Sequence, residues 1–194
     1  MKVHRVIIVL GIVGFVVCIV NRVSNYETYS TSTSDSTSSY KHRNWFNSTS
    51  TDNFDNEKIS YVHSFPIKSE SELDFPYNGT RAFIVVAKNT KQTWAYIEFT
   101  SQPNLTGGET MDGYDIIKAR ASIDGVQEIV TFHQTWGSKD LRIEYPTWFI
   151  DKLQNCKTFK IQLNWYGNYG TVWTFSGEDF ASEYKIMLNK STES

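Results

Sequence analysis

The stretch FKIQLNWYGNYGTVWTF, Phe159–Phe175, decides the fold by its alternation. Phe159, Ile161, Leu163 and Trp165 fall on one side and Lys160, Gln162 and Asn164 on the other, the period of two expected of a strand with one face in a core. Gly167–Gly170 then supplies turn chemistry, and Val172, Trp173 and Phe175 bring the chain back. The segment therefore predicts an antiparallel hairpin with a heavy aromatic load.

Two more hairpins are read upstream. In RAFIVVAKNTKQTWAYIEFT, Arg81–Thr100, the residues Ala82–Ala87 are apolar on both faces, while Ala95, Ile97 and Phe99 alternate with Trp94, Tyr96 and Glu98. Ile117, Ala119, Ala121 and Ile123 share a face opposite Lys118, Arg120 and Ser122. Asp124-Gly125 then offers the two positive-φ residues of a type I′ turn into VQEIVTFHQTW, Val126–Trp136. Two helices are expected. One starts near Pro146 and carries Phe149, Ile150 and Leu153; the other starts at Ser176 as cap and carries Phe180, Tyr184, Met187 and Leu188. Six or seven short strands in hairpins, with two short helices, predict a mostly β domain over residues 59–190, a compact antiparallel β-sandwich or open barrel.

The runs VVAKNTKQTWAYIEF (Val85–Phe99), IIKARASIDG (Ile116–Gly125) and WGSKDLRIEYPTWFIDKLQNCKTFKIQLNWYGNYGTVWTFSGEDF (Trp136–Phe180) together cover about residues 80–185. Their order resembles the periplasmic domain of the VasI/TagO family, accessory proteins of type VI secretion, and related proteins of bacteria and their phages. The resemblance implies an envelope protein with a β-sandwich, brings no catalytic residues, and emphasises Arg120, Asp124 and Gly125 as structural motif residues. Members of that family commonly carry a cysteine after the first strand and another near the C-terminus. Here the first strand ends in Ala87, and no cysteine follows the last helix.

At the other end of the chain, VIIVLGIVGFVVCIV, Val6–Val20, is fifteen residues without a charge. Spanning a bilayer core takes roughly 20 residues of helix, which residues 1–23 provide if the flanking polar groups snorkel. Cleavage needs small residues before the cut, where Arg22 stands, and lipidation of Cys18 needs one before the cysteine, where Val17 stands. The expectation is an uncleaved signal anchor. Lys2, Arg5 and the α-amine outweigh Arg22, which puts the N-terminus in the cytoplasm and the domain in the periplasm or another extracytoplasmic space. Residues 24–58 are expected to form a disordered tether, because Thr28–Ser39 holds ten Ser or Thr in twelve residues and has little apolar surface to offset ordering. Trp45 and Phe46 interrupt that polar run as an interfacial touch or a short docking segment.

From Ile59 onward 13 Lys and Arg face 16 Asp and Glu with no basic block, which excludes nucleic acid as a partner. Cys18 and Cys156 lie too far apart in any reasonable topology to pair, and Cys156 is read as a small buried hydrophobe. His63 and His133 belong to no metal-ligand spacing, and the acidic stretch Glu109, Asp112 and Asp115 reads as a solvated loop, so neither a metal nor a cofactor is expected. No G-x-S-x-G, P-loop or G-x-G-x-x-G is present, and the chain is not expected to be an enzyme.

The best binding candidates are Trp94, Tyr96, Tyr166 and Tyr169, rings that stack on sugars or anchor a protein when exposed, and that form core when both faces are covered. Arg120 and Asp124 are expected to hold hairpin geometry through charge-assisted hydrogen bonds. The reading is a single-pass membrane protein that displays a non-catalytic binding domain to an envelope protein partner, as an accessory of a secretion or envelope assembly. A glycan- or peptidoglycan-binding module predicts those four rings exposed and coplanar. A hydrolase predicts a cleft joining two carboxylates, or His133 and a carboxylate. A phage-encoded exclusion protein would share the anchor and the tether.

Overall fold

A computed structural model describes residues 43–52 and 56–192, which lie within one compact unit. The expected anchor and the tether up to residue 42 lie outside the described residues. In chain order the strands are β1 Trp45–Thr51, β2 Lys58–Ser64, β3 Ile67–Lys68, β4 Arg81–Lys88, β5 Thr93–Phe99, β6 Glu109–Met111, β7 Tyr114–Ile123, β8 Val126–Thr135 and β9 Asp140–Ile143. Helix α1, Pro146–Asn155, follows, then β10 Thr158–Trp165, β11 Asn168–Ser176 and helix α2, Phe180–Thr192.

All the described strands belong to one antiparallel sheet in the order β1-β2-β4-β5-β9-β8-β7-β10-β11, with β3 on β4 and β6 on β7. The expected antiparallel, mostly β domain with two helices is present, and one sheet rather than two carries it. That sheet curls. Ser69, just after β3, bridges Trp173 of β11, and the Glu70 N–H donates to the Val172 carbonyl at 2.8 Å. No ladder continues from that bridge, so the sheet stays open rather than closing as a barrel.

The three predicted hairpins form β4-β5, β7-β8 and β10-β11. Asp124 and Gly125 have φ of 48° and 90°, the left-handed pair that a two-residue turn between twisted strands requires. Inward residues of every long strand meet in one core, including Ile84, Phe99, Phe132, Phe159, Trp165, Trp173 and Phe175. At about 2 kcal/mol or more for each large side chain removed from water, these rings dominate its stabilisation. Helix α1 begins at Pro146 and buries Phe149, Ile150 and Leu153 as predicted. Cys156 is buried behind it, where loss of solvent pushes its thiol pKa up.

Three expectations change. The folded domain begins inside the predicted 24–58 tether: β1 pairs with β2 from Trp45↔Ser64 to Thr51↔Lys58, and Trp45 is fully buried. The indole of Trp45 packs edge-on against Phe180 and donates from Nε1 to the Ser176 carbonyl at 2.9 Å, so it is core and not a membrane-surface or docking residue. The second helix starts at Phe180 instead of Ser176, because Ser176 remains in the β10-β11 ladder opposite Thr158. Its hydroxyl accepts from the Glu178 N–H at 3.2 Å, in the turn ahead of the helix. Finally, Glu109, Asp112 and Asp115 lie on the β6-β7 hairpin, where Glu109 pairs with Lys118 at 3.3 Å, and do not form a loop.

Candidate functional site

The four candidate rings separate into two places. Trp94 and Tyr96 lie half-buried on the outer face of β5, opposite Ala87 and Val85 of β4. Burial first, and then the neighbouring Glu98 charge, raises the Tyr96 phenol well above its ordinary pKa. Tyr166 lies in the β10-β11 turn and Tyr169 near the start of β11, 65% and 74% exposed, and among the described residues no ring contact joins them to the β5 pair. Their neighbour is Phe75, 89% exposed, which escaped the sequence reading. The preceding residue, Asp74, donates its N–H to Asn168 Oδ1 at 2.8 Å, tying that loop to the turn.

Asp124 is the motif residue whose role is visible. Its carboxylate accepts the Lys157 and Thr158 N–H groups at 2.8–3.1 Å, which ties the β7-β8 turn to the start of β10. Gly125 completes the turn. Arg120 is exposed on β7 between Ile129 and Gln162, and its side chain makes no such tie.

Three polar arrangements bear on catalysis. His133 sits across the ladder from Ile116 and Arg142 and stacks on Tyr114 at 5.4 Å, so it meets a cation and a ring instead of a carboxylate. Ser48 Oγ lies 2.7 Å from His63 Nε2, a pairing seen in nucleophile activation. Burial lowers the His63 pKa to about 3, however, and among the described residues its Nδ1 has no partner and no acid orients it as a base near neutrality. Glu98 and Asp140 are ladder neighbours, and burial, then the Asp140 charge, raises Glu98 to about 7 against the opposing effect of Lys139. Glu98 is 2% exposed and its Oε1 is unpartnered, which leaves no room for a substrate at that oxygen.

Glu98 and His63 give opposite pH slopes. Glu98 is protonated in the folded state and ionised in the unfolded one between its ordinary 4.5 and about 7, so its contribution is lost as pH rises through that window. His63 is neutral when folded and charged when unfolded between about 3 and its ordinary 6.5, so its contribution is lost as pH falls. In the overlap the two oppose each other. Glu98→Gln is expected to add about 3 kcal/mol above neutrality and to uncover a rise with pH of up to about 1.4 kcal/mol per unit in the overlap. Urea unfolding across pH measures both; curves parallel to wild type at every pH would contradict the assignment.

A cleft of about 450 Å³ opens between β8 and the start of α1, lined by Glu128, Ile129, Val130, Thr131, Ile143, Tyr145 and Trp148. Its floor is an unpaired sheet edge. Ile123 and Val126 flank a two-residue turn and exchange hydrogen bonds, so by alternation Val126, Glu128 and Val130 direct their backbone groups to β7. Gln127 and Ile129 direct theirs the other way. On that side β9 reaches only Phe132 and His133, and one further bond runs from the Glu144 N–H to the Thr131 carbonyl at 3.0 Å. Among the described residues no strand pairs with Gln127 or Ile129 from that side.

Ile129 and Tyr145 at this cleft are 61% and 63% exposed. Trp148 is half-buried, with the Lys152 ammonium 5.6 Å from its ring centroid, and the same ammonium pairs with Glu128 at 3.4 Å. One signal for this site was present in the sequence: Ile129 is an aliphatic residue in the polar phase of β8, between Gln127 and Thr131. Tyr145 and Trp148 join it only through the course of the chain between β9 and α1. Comparison with family models, with curated proteins and with solved structures gives no match.

Proposed function

We propose that this chain is a membrane-anchored envelope protein whose folded domain works by binding a protein partner outside the cytoplasm, as an accessory of a secretion or envelope assembly. The cleft beside β8 is the docking face. The unpaired edge at Gln127 and Ile129, next to exposed Ile129 and Tyr145, carries this reading, since protein partners use such edges and large side chains as anchors. The apolar run Val6–Val20 and the charges on its two sides support the anchor and its orientation. A buried neutral His63 and a closed-off Glu98 favour binding over hydrolysis.

A second reading has its own observation. Phe75, Tyr166 and Tyr169 expose three rings at one end of the domain, a surface suited to stacking on a glycan. Photo-crosslinking in intact cells separates the two, with a benzophenone side chain placed at Ile129 in one variant and at Tyr169 in another. A discrete protein adduct is expected from the first position and not the second, and Trp148→Glu is expected to reduce it at least tenfold in protein that circular dichroism shows to be folded. Protein adducts only from Tyr169, or an Ile129 adduct indifferent to Trp148→Glu, would move the docking face elsewhere.

A further inference from the structure

We infer, resting on the docking reading above, that the occupant of the cleft is an extended peptide segment that adds as a strand to Gln127–Ile129 and places an apolar side chain on the inner face against Tyr145 and Trp148. Gln127 and Ile129 present N–H and C=O groups sideways from a formed strand, and an incoming extended chain satisfies them at the spacing of a ladder. Alternate side chains of that chain then fall on the inner face, where the cleft of about 450 Å³ lies.

Size and charge narrow the occupant. The open edge runs from Val126 to Val130, about 17 Å at about 3.4 Å per residue. Stable dimers bury roughly 1,200 Å² or more in total, more than an open edge this short supplies by itself. Self-pairing about Glu128 would also set that carboxylate opposite its own copy, an unfavourable cross-strand pair. The charges around the edge are mixed: Glu128 has Lys152 as its partner, the Asp124 carboxylate is taken up by the Lys157 and Thr158 N–H groups, and Glu144 and Arg120 are both exposed nearby.

The probe is a labelled heptapeptide of alternating valine and threonine with a central phenylalanine and a lysine at each end for solubility, titrated into the full chain in detergent micelles. Amide exchange at Gln127 and Ile129 should slow at least tenfold on binding. N-methylation of alternate peptide nitrogens, in the register that faces the edge, and Gln127→Pro should each weaken binding at least tenfold. The Gln127 N–H faces open space, so proline there removes a donor without breaking the β7-β8 ladder.

Binding that is indifferent to both changes would overturn strand addition and leave the docking face standing. Failure of the peptide to bind, while crosslinking at Ile129 still depends on Trp148, would overturn the peptide as occupant. Loss of that crosslinking as well would remove the docking face itself. Protection of Gln127 and Ile129 without peptide also overturns the inference: if it grows with protein concentration the occupant is a second copy, and if it vanishes in a chain starting at Arg43 the occupant is the chain's own N-terminal segment.

Discussion

Gly177→Ala is expected to destabilise the domain by roughly 3 kcal/mol or more, with loss of folded protein at physiological temperature. A Cβ at this position would lie 2.2 Å from the Cys156 carbonyl oxygen and 2.9 Å from its carbonyl carbon. Neither neighbour can swing aside, because both are backbone at the junction of α1 and β10. The glycine is held from its own side as well, since its N–H donates to the Lys157 carbonyl at 2.8 Å. Gly108→Ala is the comparison: its Cβ would meet the Ile117 Cδ1 at 2.5 Å, the end of a flexible side chain, and the Ile116 carbonyl oxygen only at 3.0 Å, so a smaller cost of about 1–2 kcal/mol is expected. Urea unfolding of both variants, followed by far-UV circular dichroism, gives the difference. Cys156 Sγ also lies 2.8 Å from the added atom, so Cys156→Ala is combined with Gly177→Ala. Restored stability in that double variant would mean that the sulfur, and not the backbone, is the obstacle.

Trp45→Ala is expected to cost about 3–5 kcal/mol, the range for deleting a buried large aromatic side chain. The loss combines an indole with no exposed surface, its edge-on contact with Phe180 at 4.7 Å, and the hydrogen bond from Nε1 to the Ser176 carbonyl. Trp45→Phe keeps most of the packing and gives up the hydrogen bond, so about 1–2 kcal/mol is expected. The pair of variants tests where the domain begins. If Trp45→Ala unfolds within 1 kcal/mol of wild type, β1 is an accessory strand and the independent unit starts at β2. Pairing along all of β1, together with the Asn47 Nδ2 donation to the Glu183 carbonyl at 3.0 Å, argues that β1 locks α2 onto the sheet.

The placement of β1 shows why the boundary was misread. WFNSTST, Trp45–Thr51, has the composition of the polar tether that precedes it, and apart from Trp45 and Phe46 it offers no apolar periodicity. It is a strand because Trp45 fills a site built by Ser176 and Phe180, more than 130 positions away. The short strands β3, β6 and β9 were missed for a related reason. Two to four residues carry no measurable period, and only the neighbouring ladder makes them strands. Trp94 and Tyr96 illustrate the converse: alternation put them on the outer face of β5, but how far they are covered depends on what lies across the ladder.

Local chemistry was enough wherever a short segment constrains itself. Alternation over eight residues selects a face, Asp124-Gly125 supplies the backbone angles of its turn, and Pro146 starts a helix whose apolar residues recur at helical spacing. Each of these preferences acts over a few bonds, so the amino-acid order alone settles the three hairpins and α1. The joining of strands into one curled sheet, the bare edge of β8 and the cleft against α1 are settled by contacts between residues distant in the chain. Among the described residues no strand pairs with the outward side of Gln127 and Ile129, because β9 is short and the chain turns into α1 after Ile143, a geometric outcome that packing decides and no local pattern encodes.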